Sequence, residues 1–162
     1  LNLRKKDRHE LRRKIRRLDA GAKYRQYEPT NKVEMMDEFF RLMSLSSDEK
    51  SSFLIKENKI FFTKIAAVFT RRDQFKLFFL EIDGVNVAAC ICFDYDGKFL
   101  LYNSGYDPEY SSLSIGLINK AFTINTAIEQ GKSEYNFLKG IERYKYHLGA
   151  MDRSVFDIQV SR

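Results

Sequence analysis

Two hydrophobic periods divide this chain near residue 73. Before that point apolar residues recur every three or four positions, the spacing of a helix buried on one side. Leu11, Ile15 and Leu18 form one such stripe ending at Gly21, so a helix is predicted from Leu3, with Asp7 and Glu10 as a capping pair. Ala22 to Tyr27 reads as a short strand stopped by Glu28-Pro29. Thr30 is placed to cap a second helix, whose Met35, Met36, Phe39, Phe40 and Met43 are read as core packing. Ser44 to Ser52 is polar and is expected to turn, and Lys59 to Thr70 returns to the helical period.

Beyond Asp73 the period becomes two. Phe75 to Ile82, Val87 to Phe93 and Lys98 to Asn103 alternate as strands, joined by Asp83-Gly84 and Asp96-Gly97, dipeptides that favour tight hairpins. A three-stranded antiparallel meander follows. Ser114 to Gln130 then carries Leu117, Ile118, Ala121, Ile124, Ala127 and Ile128 on a broad apolar helical face before Gly131. Glu134 to Leu138 is a further strand, Ile141 to Leu148 a short helix and Val155 to Val160 a last strand. This order predicts an α/β (α+β) domain with a mixed, mostly antiparallel sheet flanked by helices. Its binding crevice is expected where helix N-termini meet strand ends.

Composition changes the picture at one end only. Nine of the first seventeen residues are Lys or Arg; without them, and without Asp7 and Glu10, 19 basic side chains face 20 acidic ones. The chain is a near-neutral domain, residues 22–162, led by one cationic helix, residues 1–21. With 44% hydrophobic residues it can bury a single core. No apolar run is long enough to span a bilayer, and the chain is read as cytoplasmic. Cys90 and Cys92 fall on one face of a strand and are read as buried free thiols. With His9 and His147 the only histidines, no metal site is expected, and His147 is read as a structural or surface residue.

Three stretches occur in fixed order: Asp83-Gly84-Val85-Asn86-Val87-Ala88-Ala89; Tyr102-Asn103-Ser104-Gly105-Tyr106-Asp107-Pro108 with Ser114-Ile115-Gly116-Leu117 behind it; and Phe137-Leu138-Lys139-Gly140-Ile141-Glu142-Arg143-Tyr144-Lys145. Together they resemble the GNAT-fold acyltransferases of the CelD-like, cellulose-biosynthesis group, distant relatives of the Fem-type aminoacyl transferases. The resemblance is clearest from Asp83 to Ala150 and implies a C-terminal lobe, with a second lobe upstream of Leu1. It also implies acetyl-coenzyme A as co-substrate and a saccharide or other small-molecule amine as acceptor. Asn103, Ser104 and Asn136 would line the cofactor crevice, with Ser114, Ile115, Gly116 and Leu117 under its pyrophosphate. Ser114 is a credible cap, and Gly116 would let phosphate approach bare amides at the helix start. The group's Ser-Pro-Gly stands here as Ser114-Ile115-Gly116, so a plain cap followed by a packing glycine is the alternative.

Acyl transfer to an amine needs a base for the ammonium proton and an acid for the leaving thiolate. Glu142 is the candidate base and Tyr144 the candidate acid, its phenol having an ordinary pKa near ~10. Lys139 and Lys145 are candidate contacts for an anionic substrate. The competing reading pairs Glu142 with Lys145 along one helical turn and buries Tyr144. No activated nucleophile is evident, so direct attack is expected. The basic helix could contact RNA, as Fem-type relatives take aminoacyl groups from tRNA. Lacking interleaved aromatics, it is read instead as a solvated face joining the upstream lobe or binding an anionic partner.

Overall fold

A computed structural model describes residues 3–156 and 158–160. Helix α1 (Lys5–Gly21) leads into β1 (Tyr24–Tyr27), followed by three helices, α2 (Met36–Ser46), α3 (Asp48–Phe53) and α4 (Lys56–Thr70). Strands β2 (Phe75–Ile82), β3 (Val85–Tyr95) and β4 (Lys98–Tyr106) come next. A 3-10 turn (Pro108–Leu113), α5 (Ile115–Glu129), β5 (Glu134–Asn136) and α6 (Arg143–His147) complete the order. The five strands lie in sequence order, antiparallel from β1 to β4, with β5 parallel to β4.

Both hairpins form where the dipeptides sit, with Asp83, Gly84, Asp96 and Gly97 all at positive φ. One face of the sheet buries Phe75, Leu77, Phe79, Ala89 and Ile91 against α2 and α4. The other buries Leu80, Val87 and Ala88 against Leu18 of α1 and Ile115 and Ile118 of α5. Cys90 and Cys92 lie under α5 as free, buried thiols, whose pKa burial pushes up. Gly105 is required by packing: a Cβ there would overlap the backbone of Leu42 and Met43, so α2 lies directly on β4.

Several expectations are corrected. Ser44 to Ser52 is helical on both sides of Ser47, because the Ser47 hydroxyl accepts from the Lys50 amide and caps α3. Thr30 caps nothing; the chain turns until Met35 and α2 begins at Met36. Asp7 does not cap α1 but accepts from Arg4 and pairs with His147. Strand β5 stops at Asn136 because Leu138 takes a left-handed φ of 55°. The strand expected from Val155 to Val160 is absent among the described residues there, which are exposed; Asp157 lies outside them.

Candidate active site

The site is built by a divergence. Strand β5 pairs with β4 only from Lys98 to Leu100, whereas β4 runs on beside β3 to Tyr106. Opposite Ile91 and Cys92 the β4 register slips by one residue at Tyr102, a bulge that bends the strand. From Leu101 onward the outer edge of β4 therefore has no strand beside it among the described residues, and its backbone groups need other partners. One comes from far away in sequence: the Lys50 ammonium donates to the Ser104 carbonyl at 2.5 Å. Asn103 folds back locally, its Oδ1 accepting from the Ser104 amide at 2.8 Å.

At the head of the crevice stands α5. Ser114 precedes it with φ of 58°, and its hydroxyl does not cap the helix. It accepts instead from the ammonium of Lys14, on α1, at 2.8 Å. The amides of Ile115 and Gly116 have no acceptor among the described residues. Ile115 is fully buried, so the partly exposed Gly116 offers the more open amide; a Cβ on Gly116 would stand 3.2 Å from the ring of Tyr106. Leu117 turns toward the α1 side of α5 and packs with the cluster of Leu11, Ala121 and Leu148. The cap reading of Ser114 is thus corrected: its hydroxyl serves Lys14.

The far wall is the β5–α6 loop. Asn136 does not reach outward: its Oδ1 accepts from the Leu138 amide at 2.7 Å and its amide group donates to Glu134. Lys145, buried, donates to the carbonyls of Lys139 and Gly140 and to Glu142 at 2.9 Å, which takes up all three of its protons inside the loop. Lys139 is exposed. Glu142 is also exposed, and its bond to Lys145 holds its carboxyl below the usual range. Tyr144 is half-buried, its phenol pushed up chiefly by burial and further by the charge of Glu142. Glu142 and Lys145 therefore form the pair along one turn, and Tyr144 keeps its proton.

Lys120 was hidden from sequence reasoning by the apolar helix around it. It is a buried residue of α5, donates to the Gly116 carbonyl at 3.1 Å and lies 4.8 Å from the Tyr144 ring. Burial lowers its pKa, and that of Lys50, whose charge Lys120 opposes. Cavities of about 390 and 310 Å³ lie elsewhere, between the start of α1 and α6, lined by residues including Arg4, Lys6, Asp7 and His147. His147 is exposed and sits 3.2 Å from Asp7, away from the crevice residues.

A mixed five-stranded sheet whose parallel pair splays beside a helix start is a recognisable frame, and residues 5–146 match the profile of the acetyltransferase (GNAT) domain. The chain belongs to the GNAT acetyltransferase family. No curated protein matches it. Among solved structures, AAC(6')-Iy bound to the bisubstrate analogue CoA-S-monomethyl-acetylneamine superposes with a TM-score of 0.61 at 12% identity, over 87% of this chain and 99% of that one. The ribosomal-protein-alanine N-acetyltransferase of Brucella melitensis gives 0.56 at 12% identity over 86% and 100%. An aminoglycoside acetyltransferase from an uncultured soil metagenomic sample, in complex with trehalose, gives 0.53 at 15% identity over 89% and 99%. At such identities these GNAT neighbours share the fold. The family makes this chain an acyltransferase, of the GNAT N-acetyltransferase kind that uses acetyl-coenzyme A.

Proposed function

We propose that this GNAT domain transfers an acetyl group from acetyl-coenzyme A to the amine of a small acceptor, a sugar or cell-envelope precursor, as a member of the CelD-like group. The observation that carries this reading is the open edge of β4 from Leu101 to Tyr106, facing a helix start with an unfilled Gly116 amide. Those groups suit the donor. Strand edges pair with an amide-bearing chain, and a helix N-terminus attracts phosphate. Lys14 adds a cation at that head, beside Ser114.

Acetyl-coenzyme A supplies the acyl group as an activated thioester: the acceptor nitrogen bonds to the acyl carbon, the C–S bond breaks, and the proton shed by nitrogen is balanced by one gained at sulfur. The chain's residues handle those protons and hold the partners in place. Tyr144, kept protonated by burial, serves as the acid. Glu142 is ionised and exposed, so it accepts the ammonium proton through water while its bond to Lys145 fixes the loop carrying Tyr144. Asn103 and Asn136 shape the crevice through their backbone turns, and exposed Lys139 is the outer contact for an anionic acceptor.

Thermal melts with acetyl-coenzyme A test the reading. A ligand at 100 times its Kd stabilises by about 2.7 kcal/mol, a shift of several degrees, which Gly116→Trp should abolish. No shift at millimolar ligand overturns it. Exposed Arg8, Arg12, Arg13, Arg16 and Arg17 on α1 favour a second reading, an anionic partner such as RNA held by that helix. A steep salt dependence of RNA binding, lost when Arg12, Arg13, Arg16 and Arg17 become Glu, would support it.

A further inference from the structure

Two lysines in the crevice lack the partner that buried charge requires. Lys120 is fully enclosed and Lys50 partly so, yet neither forms an ion pair with a carboxylate among the described residues. Each donates to one backbone carbonyl, Gly116 for Lys120 and Ser104 for Lys50; Lys120 also lies over the Tyr144 ring, and Lys50 is partly open to solvent. Glu142, the carboxylate that acts on both, is already bound to Lys145. Desolvating an ammonium without a counter-ion costs several kcal/mol, and Lys120 bears that cost in the fold.

The two come from opposite sides of the sheet. Lys50 is on α3, in the helical layer of α2 and α4, and Lys120 is on α5, in the other. Lys50 reaches β4 at Ser104, where the strand has lost its neighbour, and Lys120 lies against the ring of Tyr144 on α6. Lys120 reaches the first turn of α5 at the Gly116 carbonyl, while Lys14 meets Ser114 just before that helix. Lys50 holds Ser104 on the strand edge itself, at the reactive end of the crevice under the proposed acetyl transfer.

We infer that Lys50 and Lys120 bind a carboxylate of the acyl acceptor, so that the substrate is an amine carrying an acid group rather than a polyamine. The inference rests on the acetyltransferase reading for the word acceptor, but the anion site stands on its own geometry. One buried cation and one half-buried cation repel an aminoglycoside, which carries several ammonium groups, and attract an amino acid or an amino sugar with an acidic substituent.

The test uses product-like probes and needs no knowledge of the natural acceptor. N-acetylglycine and its uncharged amide are titrated against the full chain, with and without saturating coenzyme A, in wild type, Lys50→Met and Lys120→Met. Wild type is expected to bind the acid at least tenfold more tightly than the amide, and each variant to lose that preference. Equal affinity for both probes in wild type, or a preference surviving both variants, overturns the inference. Inorganic pyrophosphate serves as the rival: if it displaces N-acetylglycine and its binding depends on the same two lysines, the pair belongs to the donor and the inference falls. Coenzyme A binding, followed separately, reports on the acetyltransferase reading. Acid preference without coenzyme A binding sinks that reading alone, and coenzyme A binding without acid preference sinks this one alone. Should Lys120→Met fail to fold, Lys50→Met decides the matter, because Lys50 is half-buried on a short surface helix.

Discussion

The ammonium of Lys14 donates to the hydroxyl of Ser114 at 2.8 Å, joining residues 100 positions apart. One side chain of the basic helix is thereby brought to the head of α5, beside the unfilled amide of Gly116. A run of nine cations thus contains one member with an address. Lys14 also lies 3.4 Å from Glu10, so it is held from two sides.

Lys14→Met is therefore expected to weaken coenzyme A binding roughly tenfold, about 1.4 kcal/mol, by removing a charge-assisted contact to phosphate. Arg12→Met, on the exposed face of the same helix, should change it little at ordinary salt. Calorimetric titration of both variants checks this, and equal losses would mean that α1 acts only as a diffuse positive field.

Tyr144→Phe should lower turnover about 100-fold, the lower range for loss of a general acid, while leaving the KM for acetyl-coenzyme A near its wild-type value. Because burial and the charge of Glu142 both push this phenol up, the acid form persists past the ordinary tyrosine value. The alkaline limb of the kcat profile should accordingly lie above that value, and Glu142→Gln should bring it down by removing the second cause. A wild-type rate in Tyr144→Phe removes the residue from the chemistry.

Gly105→Ala tests the fold under the site. Its methyl group would overlap the backbone of α2 at Leu42 and Met43, and neither can yield without lifting the helix from β4. Overpacking of this kind costs about 1–3 kcal/mol, and a clash with backbone belongs at the upper end. Urea titration should show the midpoint fall with little change in slope.

These residues differ in how visible they were before folding. The meander was legible because Asp83-Gly84 and Asp96-Gly97 announce hairpins locally, and the α5 stripe because six apolar residues share one period. Helix α3 was not, since its single apolar residue, Phe53, gives no period to detect. The roles of Lys14, Lys50 and Lys120 depend on contacts to Ser114, Ser104 and the Tyr144 ring, which only the folded chain brings near. The divergence of β4 and β5 likewise follows from the left-handed Leu138, a conformation its residue type does not advertise.

Lys120→Met should make the protein more stable while impairing its site. Burial lowers the pKa of this lysine, so the folded chain holds its proton less firmly than the unfolded one. Between the lowered value and the ordinary 10.5 the unfolded state binds more protons, which makes wild-type stability rise with pH across that window. Methionine has similar length, keeps the packing against Tyr144 and carries no charge to desolvate. At neutral pH the variant should gain about 1–4 kcal/mol in urea unfolding, the range of stabilisation seen when buried ion pairs are replaced by apolar residues. The gain should shrink as pH rises from the lowered value through 10.5, above which the wild-type lysine is uncharged in both states. A loss of stability at neutral pH, or a gain that does not vary with pH, would mean that Lys120 is satisfied within the fold and has no need of a ligand.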